Sequence, residues 1–183
     1  LHDVSNIFQD SSFKLFSGAA HADGQYVKAI NARGAGSWPR SQIDKLGEVA
    51  AGFGAKGLAW IAYREDGSVG GPIAKFFSAD ELDALRTEME AQPGDLILFA
   101  VGARLETDEI LGGMRLHMAR VLEVPREGHD FLWVVNFPLF HWDEETQSYA
   151  SEHMPFTQPN EDQIDLLDTD PLSIGSHTYD FVM

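Results

Sequence analysis

The sequence predicts an α+β fold: a mixed sheet with helices packed on one side, followed by a partial antiparallel sheet. Three observations carry this. Two apolar runs, GLAWIAY at residues 57–63 and LILFAV at residues 96–101, have the length and composition of buried strands. Around them lie stretches whose apolar residues recur three and four apart, the helical period. The chain then changes character near residue 121. Residues 1–120 hold 12 basic and 16 acidic side chains, whereas residues 121–183 hold Arg126 alone against 13 acidic ones. The expected organisation is a polar lead-in over residues 1–10, a complete domain over residues 11–122 and an incomplete sheet over residues 123–183.

Taken in order, Phe13-Lys14-Leu15-Phe16 alternates and predicts a short strand. Ala22-Asp23-Gly24-Gln25 predicts a turn, with a second strand from Tyr26 to Ile30 completing a hairpin. Gly34 to Pro39 is a Gly-rich connector. Ser41 has the character of an N-cap, and Ile43, Leu46, Val49, Ala50 and Phe53 follow at helical spacing, with Gly54 placed to end the helix. The 57–63 strand and a Glu65-Asp66-Gly67 turn come next, then a strand or docking segment from Ile73 to Phe77. Ser78 caps a second helix with Leu82, Leu85 and Met89 on one face, and Pro93-Gly94-Asp95 turns the chain into the 96–101 strand. A third helix spans residues 107–122, with Ile110, Leu111, Met114, Met118 and Val121 inward. Gly112-Gly113 inside it costs about 1 kcal/mol per residue relative to Ala, which points to close packing against the sheet. Beyond it, FLWVVN at residues 131–136 is a strand broken by Pro138. Leu139-Phe140 resumes it, residues 142–149 form a hairpin tip, and the chain ends in a strand from Tyr179. Two or three strands and a long loop cannot bury both faces, so this stretch belongs to a larger antiparallel sheet.

Composition narrows the function. The 183 residues are 44% hydrophobic, 11% aromatic and 23% charged, which excludes wholesale disorder. No apolar run approaches a membrane span, no secretory leader is legible, and Cys is absent, which removes disulfides and thiol chemistry; a cytoplasmic location is expected. At −16, the chain should repel phosphate backbones over most of its surface, so weak nucleic-acid binding is expected of it by itself. Leu1 at the start and an apolar strand at the end read as a piece of a longer polypeptide.

Local chemical motifs are few. Gly34-Ala35-Gly36 lacks the Lys of a phosphate loop, and no G-x-S-x-G or H-E-x-x-H run is present. His141, His153 and His177 lie among Asp143, Glu144 and Glu152, which leaves two readings open: a His/carboxylate metal site serving a hydrolase, or a solvated hairpin. His117 reads as a half-buried structural His. Trp60 and Trp133 read as core aromatics, and Trp38 as either an exposed platform or a lid on a small core.

Two groups of words carry a resemblance. Ser41-Gln42-Ile43-Asp44, Gly54-Ala55-Lys56-Gly57-Leu58-Ala59-Trp60-Ile61, Pro72-Ile73-Ala74-Lys75-Phe76-Phe77 and Pro93-Gly94-Asp95-Leu96-Ile97-Leu98-Phe99 stand in the order found in the GAD domain, and residues 113–122 resemble its end. The GAD domain is an insertion in bacterial-type aspartyl-tRNA synthetases, shared with some tRNA-dependent amidotransferase subunits. The second group is Leu132-Trp133-Val134-Val135-Asn136-Phe137-Pro138-Leu139-Phe140, His153-Met154-Pro155-Phe156-Thr157-Gln158-Pro159 and Tyr179-Asp180-Phe181-Val182. It resembles the class II catalytic core that resumes after that insertion.

The resemblance implies a GAD-type sheet over residues 11–122 and a piece of the synthetase core over residues 123–183. It implies a homodimeric parent that activates aspartate with ATP and Mg²⁺ and transfers it to tRNA, and a chain inactive by itself that carries no cofactor alone. Asp180 matches the carboxylate that reaches the ATP–Mg²⁺ site, and a hard ionised oxygen suits Mg²⁺. His153 matches the first His of the family's loop over the amino-acid pocket. Three positions depart from the family. Met154 stands for a second His, and a thioether neither donates a hydrogen bond nor carries charge; Asn136 and His141 stand for Asp and Glu, which removes negative charge. The alternative implied by the shared domain is a non-catalytic binding module of a tRNA-dependent amidotransferase system.

Overall fold

The computed structural model describes residues 1–125, 128–154 and 156–183, so Arg126, Glu127 and Pro155 lie outside the described residues. The chain forms two compact units, Leu1–Pro125 and Arg126–Met183, against an expected break after residue 122.

The first unit is built from β1 (His2–Asp3), a 3-10 turn (Ser5–Phe8), α1 (Lys14–His21), β2 (Gln25–Ala32), α2 (Arg40–Ala51), β3 (Ala59–Tyr63), β4 (Val69–Gly70), α3 (Ala79–Glu88), β5 (Leu96–Ala103) and α4 (Arg104–Val121). Its five strands lie in the order β1-β2-β5-β3-β4, and every pair is antiparallel. The α+β class is therefore as the sequence predicts, but two finer expectations are not: the sheet is antiparallel rather than mixed, and both its faces are covered. Along β5, Ile97 and Phe99 point into one core with Phe8, Phe16, Phe77 and Leu85, while Leu96 and Leu98 point into a second with Ile43, Leu46, Leu111 and Met114. A strand buried on both faces needs no alternation of apolar and polar residues, which is why LILFAV and GLAWIAY read as continuous apolar runs.

The residues expected to be a lead-in are part of this unit. β1 pairs with β2, and Val4 and Phe8 are fully buried. Phe8 meets Phe16 edge-on at 5.0 Å and Phe77 at 4.7 Å, and Phe16 lies 5.2 Å from Phe99, so four aromatics close the first core. The strand expected at Phe13 to Phe16 is the start of α1: Phe16 and Ala19, three apart, are buried while Leu15 is exposed. A four-residue apolar run fits either period, and packing decides. Residues 74–76 form a 3-10 turn rather than a strand. Helix α2 starts one residue before Ser41, with Pro39 at its N-cap position and no side-chain cap.

Helix α3 has the expected cap in its fullest form. Glu81 N–H donates to Ser78 Oγ at 3.2 Å, and Ser78 N–H donates to Glu81 Oε2 at 2.6 Å. Val121, expected inward on α4, is exposed. The glycine pair of α4 serves a different contact from the one expected: a Cβ on Gly113 would stand 2.6 Å from the Phe53 ring beyond α2, while one on Gly112 would meet nothing within 4 Å. Trp60 is buried and Trp38 packs half-buried on the second core, which fits the core-lid reading rather than a platform.

The second unit contains two antiparallel pairs. β6 (Leu132–Val135) pairs with β9 (Tyr179–Val182), and β7 (Phe140–Asp143) forms a hairpin with β8 (Ser148–Ser151). Between them run 3-10 turns at Glu161–Leu166 and Pro171–Ser173. Its buried apolar residues are Leu139 and Ile174, a very small core among the described residues. No described helix is long and apolar enough to cross a membrane.

Candidate functional site

Asp180 sits in β9 opposite Val134 of β6, where alternation along a two-stranded ribbon holds its side chain. It is exposed, and its carboxylate has no hydrogen bond or ion pair among the described residues. The ribbon around it is unusually bare: Trp133 is 59% exposed and Phe181 57%. Trp133, expected in a core, instead packs on Phe181 at 4.9 Å and on Tyr179 at 5.7 Å along the ribbon itself.

A small backbone platform carries the chain into β9. Leu139 N–H donates to the Ile174 carbonyl at 2.8 Å, Ser176 N–H to the Phe137 carbonyl at 2.8 Å, and His177 N–H to the Gln158 carbonyl at 2.9 Å. Segment 174–177 is thereby held between segments 137–139 and 158–160. The Gln163 side chain accepts from Gly175 N–H at 2.8 Å and from Asn160 Nδ2 at 3.2 Å, and buried Ser176 donates from Oγ to the Phe137 carbonyl at 3.1 Å. Sequence reasoning missed Gln163 and Ser176 as positioning residues. Their signal would have been two amides three apart, Asn160 and Gln163, before a Gly-Ser pair in an otherwise acidic loop.

The same platform fixes the neighbourhood of His153. Glu152 N–H donates to the Leu139 carbonyl at 3.0 Å, and the His153 ring stands 4.8 Å from Phe137, edge to face. His153 is exposed, as are Met154 and Phe156, the last by 82%. His153 and Asp180 are thus carried by one hydrogen-bonded unit, although no hydrogen bond or ion pair joins them.

Two of the three departures, Asn136 and His141, have structural meanings. Asn136 ends β6 at φ 58°, the left-handed region that Asn and Asp enter most readily among side-chain-bearing residues. Asn there keeps the turn into Phe137-Pro138 and gives up the charge. His141 on β7 meets Glu152 with Nδ1 2.7 Å from Oε2, an exposed pair. The hairpin tip is organised by Asp143, whose Oδ1 accepts from Glu145 N–H at 2.8 Å and Thr146 N–H at 3.2 Å. The Thr146 side chain and then these two N–H groups hold the Asp143 carboxyl below its ordinary range. This is the solvated-hairpin arrangement: among the described residues no group of three or more His, Cys, Asp or Glu is placed to hold a metal ion. As for Mg²⁺ at Asp180, a single carboxylate without a hydrogen bond or ion pair among the described residues fits an ion that keeps most of its shell as water and phosphate oxygen.

Comparison with known proteins shows the family. The GAD domain model matches residues 16–111. Over its whole length the chain is 45% identical to an aspartate–tRNA(Asp/Asn) ligase of Halothermothrix orenii, 43% to one of Bacillus cytotoxicus and 41% to an aspartate–tRNA ligase of Clostridium botulinum. In each case it spans 31% of the relative's length. The likeness therefore runs through both units, past the end of the matched domain, and the chain belongs to the GAD domain family.

Proposed function

We propose that this chain is part of an aspartate–tRNA ligase, combining the GAD insertion with an adjoining segment of catalytic core. The observation that carries the reading is the identity of 45% across all of the chain, including the second unit, which lies outside the GAD match. A GAD-containing docking module of an amidotransferase system would account for the first unit alone. The first unit then corresponds to the insertion proposed for residues 11–122, with residues 1–10 packed onto it, and the second to the core segment proposed for residues 123–183.

In this reading the whole protein activates aspartate with ATP and passes it to tRNA. Asp180 would help hold Mg²⁺ with its carboxylate, a reading supported by the absence of any competing partner for it among the described residues. Mg²⁺, when bound with ATP, offsets phosphate charge. His153 stands over the aspartate pocket with its ring steadied by Phe137, and Met154 leaves one polar contact of that loop unmade. Residues 121–183 carry one basic side chain, so cations for the phosphates come from elsewhere in the protein. The family likeness supports a homodimeric, cytoplasmic parent; the chain alone binds tRNA weakly because of its charge.

The test is a chimaera in which this chain replaces the matching segment of the Halothermothrix orenii ligase. It should support aspartate-dependent pyrophosphate exchange. A chimaera that folds and assembles like its parent yet shows no exchange would refute the reading.

A further inference from the structure

Strand β5 runs on past one of its neighbours. Against β2 it is paired as far as Ala103, but against β3 the ladder ends at the Ala59–Phe99 pair. Hydrogen-bonding direction alternates along an antiparallel strand. Tyr63 N–H donates to the Asp95 carbonyl at 2.9 Å, so the odd-numbered residues of β5 turn their N–H and C=O toward β3. The other edge agrees: Val4 N–H donates to the Val27 carbonyl at 2.9 Å, so odd residues of β2 face β1 and even ones face β5. After Phe99 the next residue in the row toward β3 is Val101. No backbone hydrogen bond among the described residues joins Val101 to segment 57–58, which stands where β3 would continue. One backbone donor and one acceptor are left open at the sheet edge.

A cavity of about 780 Å³ lies there, within the range of small-molecule sites. Its floor is Ala59, Phe99 and Val101, and α1 walls it through Leu15 and Gly18. Glycines make the room: a Cβ on Gly18 or Gly57 would meet nothing within 4 Å. Leu15 is 57% exposed, so apolar surface remains uncovered at the wall. The charged members of the lining are Lys14, Lys56 and Glu106. Lys56 Nζ stands 4.0 Å from Glu106 Oε1, and Lys14 makes no ion pair among the described residues. Two cations against one carboxylate give this cavity a positive excess in a chain of net charge −16.

We propose that this cavity binds a small acylamino carboxylate, with its apolar side chain on Leu15 and Val101, its amide on the free Val101 backbone edge and its carboxylate between Lys14 and Lys56. An apolar floor alone would take any oily molecule; the open amide pair and the cationic rim select an anion bearing an amide. The inference stands on the first unit alone and does not depend on the ligase reading.

The probe is N-acetyl-L-leucine, titrated into the ¹⁵N-labelled 183-residue chain. Saturable amide shifts are expected at Gly18, Gly57, Val101 and Gly102. The neutral N-acetyl-L-leucinamide should bind about tenfold more weakly, as should the acid to Lys14→Gln/Lys56→Gln, a loss typical of one charge-assisted contact. Gly18→Leu, which fills the cavity, should abolish the shifts. If that variant fails to fold, the lysine double variant, altered only at exposed side chains, still decides. No saturation, saturable shifts centred elsewhere, or equal affinity for acid and amide would each overturn the proposal.

Discussion

Asp95 sits at the end of the Pro93-Gly94-Asp95 turn with 4% of its surface exposed, and its carboxylate serves three donors. Gly34 N–H reaches Oδ1 at 2.9 Å; Gln92 N–H and Asn31 Nδ2 reach Oδ2 at 2.9 and 3.0 Å. The carboxylate ties the end of β2 and the left-handed Gly34 at φ 79° to the turn before β5, 64 and 61 positions along the chain. Asp95→Ala removes all three bonds. Hydrogen bonds to a charged acceptor contribute about 1.5–3 kcal/mol each, but Gly34 and Gln92 are exposed enough for water to replace part of theirs, and Asn31 keeps its 3.2 Å bond to the Met89 carbonyl. The net loss should be about 3–4 kcal/mol, a large share of the ~5–15 kcal/mol typical of a domain. Asp95→Asn should cost about 2–3 kcal/mol, because one oxygen becomes an NH₂ facing a donor. The assay is peptide-resolved hydrogen exchange in β2 and β5, which reads the first unit without interference from the second. A loss of protection below about 1 kcal/mol for Asp95→Ala would refute the reasoning, by showing that solvent satisfies these donors as well as the carboxylate does.

Three further outcomes follow from the same structure. Gly36→Ala should destabilise the first unit by more than about 2 kcal/mol, since its Cβ would stand 2.5 Å from the Asp95 carbonyl oxygen, whereas Gly47→Ala, mid-helix with open space around it, should stabilise by up to about 1 kcal/mol; urea unfolding checks both signs. Burial pushes the Tyr63 hydroxyl up to about 12, with Arg86 opposing and Asp83 adding. The folded state therefore holds that proton longer than the unfolded chain, so stability should fall as pH rises from about 10 toward 12, and Tyr63→Phe should flatten that fall in denaturation curves taken across this window. In the chimaera, Asp180→Asn should cut pyrophosphate exchange about 100-fold, or ~2.7 kcal/mol, while His153→Ala should raise the KM for aspartate and leave that for ATP near its starting value; changes within twofold for both would remove these residues from the site.

Much of the first unit was legible from residues alone. The β3 and β5 runs, the Ser78 cap and four of the five residues expected inward on α4 (Ile110, Leu111, Met114 and Met118) stand where periodicity and capping rules put them. The failures share a cause: they depend on a partner that sequence does not show. Phe13 to Phe16 fits two periods until Phe8 and Phe99 arrive to pack against Phe16. Val4 and Phe8 look like a polar lead-in because six of the positions around them, His2, Asp3, Ser5, Asn6, Gln9 and Asp10, are polar and only the sheet makes their burial possible. Helices on both faces were in principle readable, since LILFAV has no polar side, but period alone does not say what covers the second face. In the second unit, Asp180 and His153 were legible only through family resemblance. Neither spacing nor composition marks an exposed Asp on a ribbon, and the Gln163–Gly175 and Ser176–Phe137 bonds that carry the chain into β9 join residues 12 and 39 positions apart.

The words that carried the resemblance divide into two physical kinds. Asp95 is buried and its carboxylate fully bonded, so any change in it is felt by the sheet. Asp180 and His153 are exposed, and Asp180 spends its carboxylate on nothing within the described residues. A buried, saturated Asp is accounted for by folding. An exposed Asp on a ribbon of bare Trp133, Tyr179 and Phe181 gains the fold nothing that Asn or Ser would not also supply, so folding alone leaves its identity unexplained. A requirement for charge at position 180 must then come from something outside this chain that needs an ionised oxygen there. Substitution separates the two kinds without any functional assay: Asp95→Asn is felt in stability, whereas Asp180→Asn, if the reading is right, leaves stability unchanged within about 0.5 kcal/mol and is felt only in chemistry.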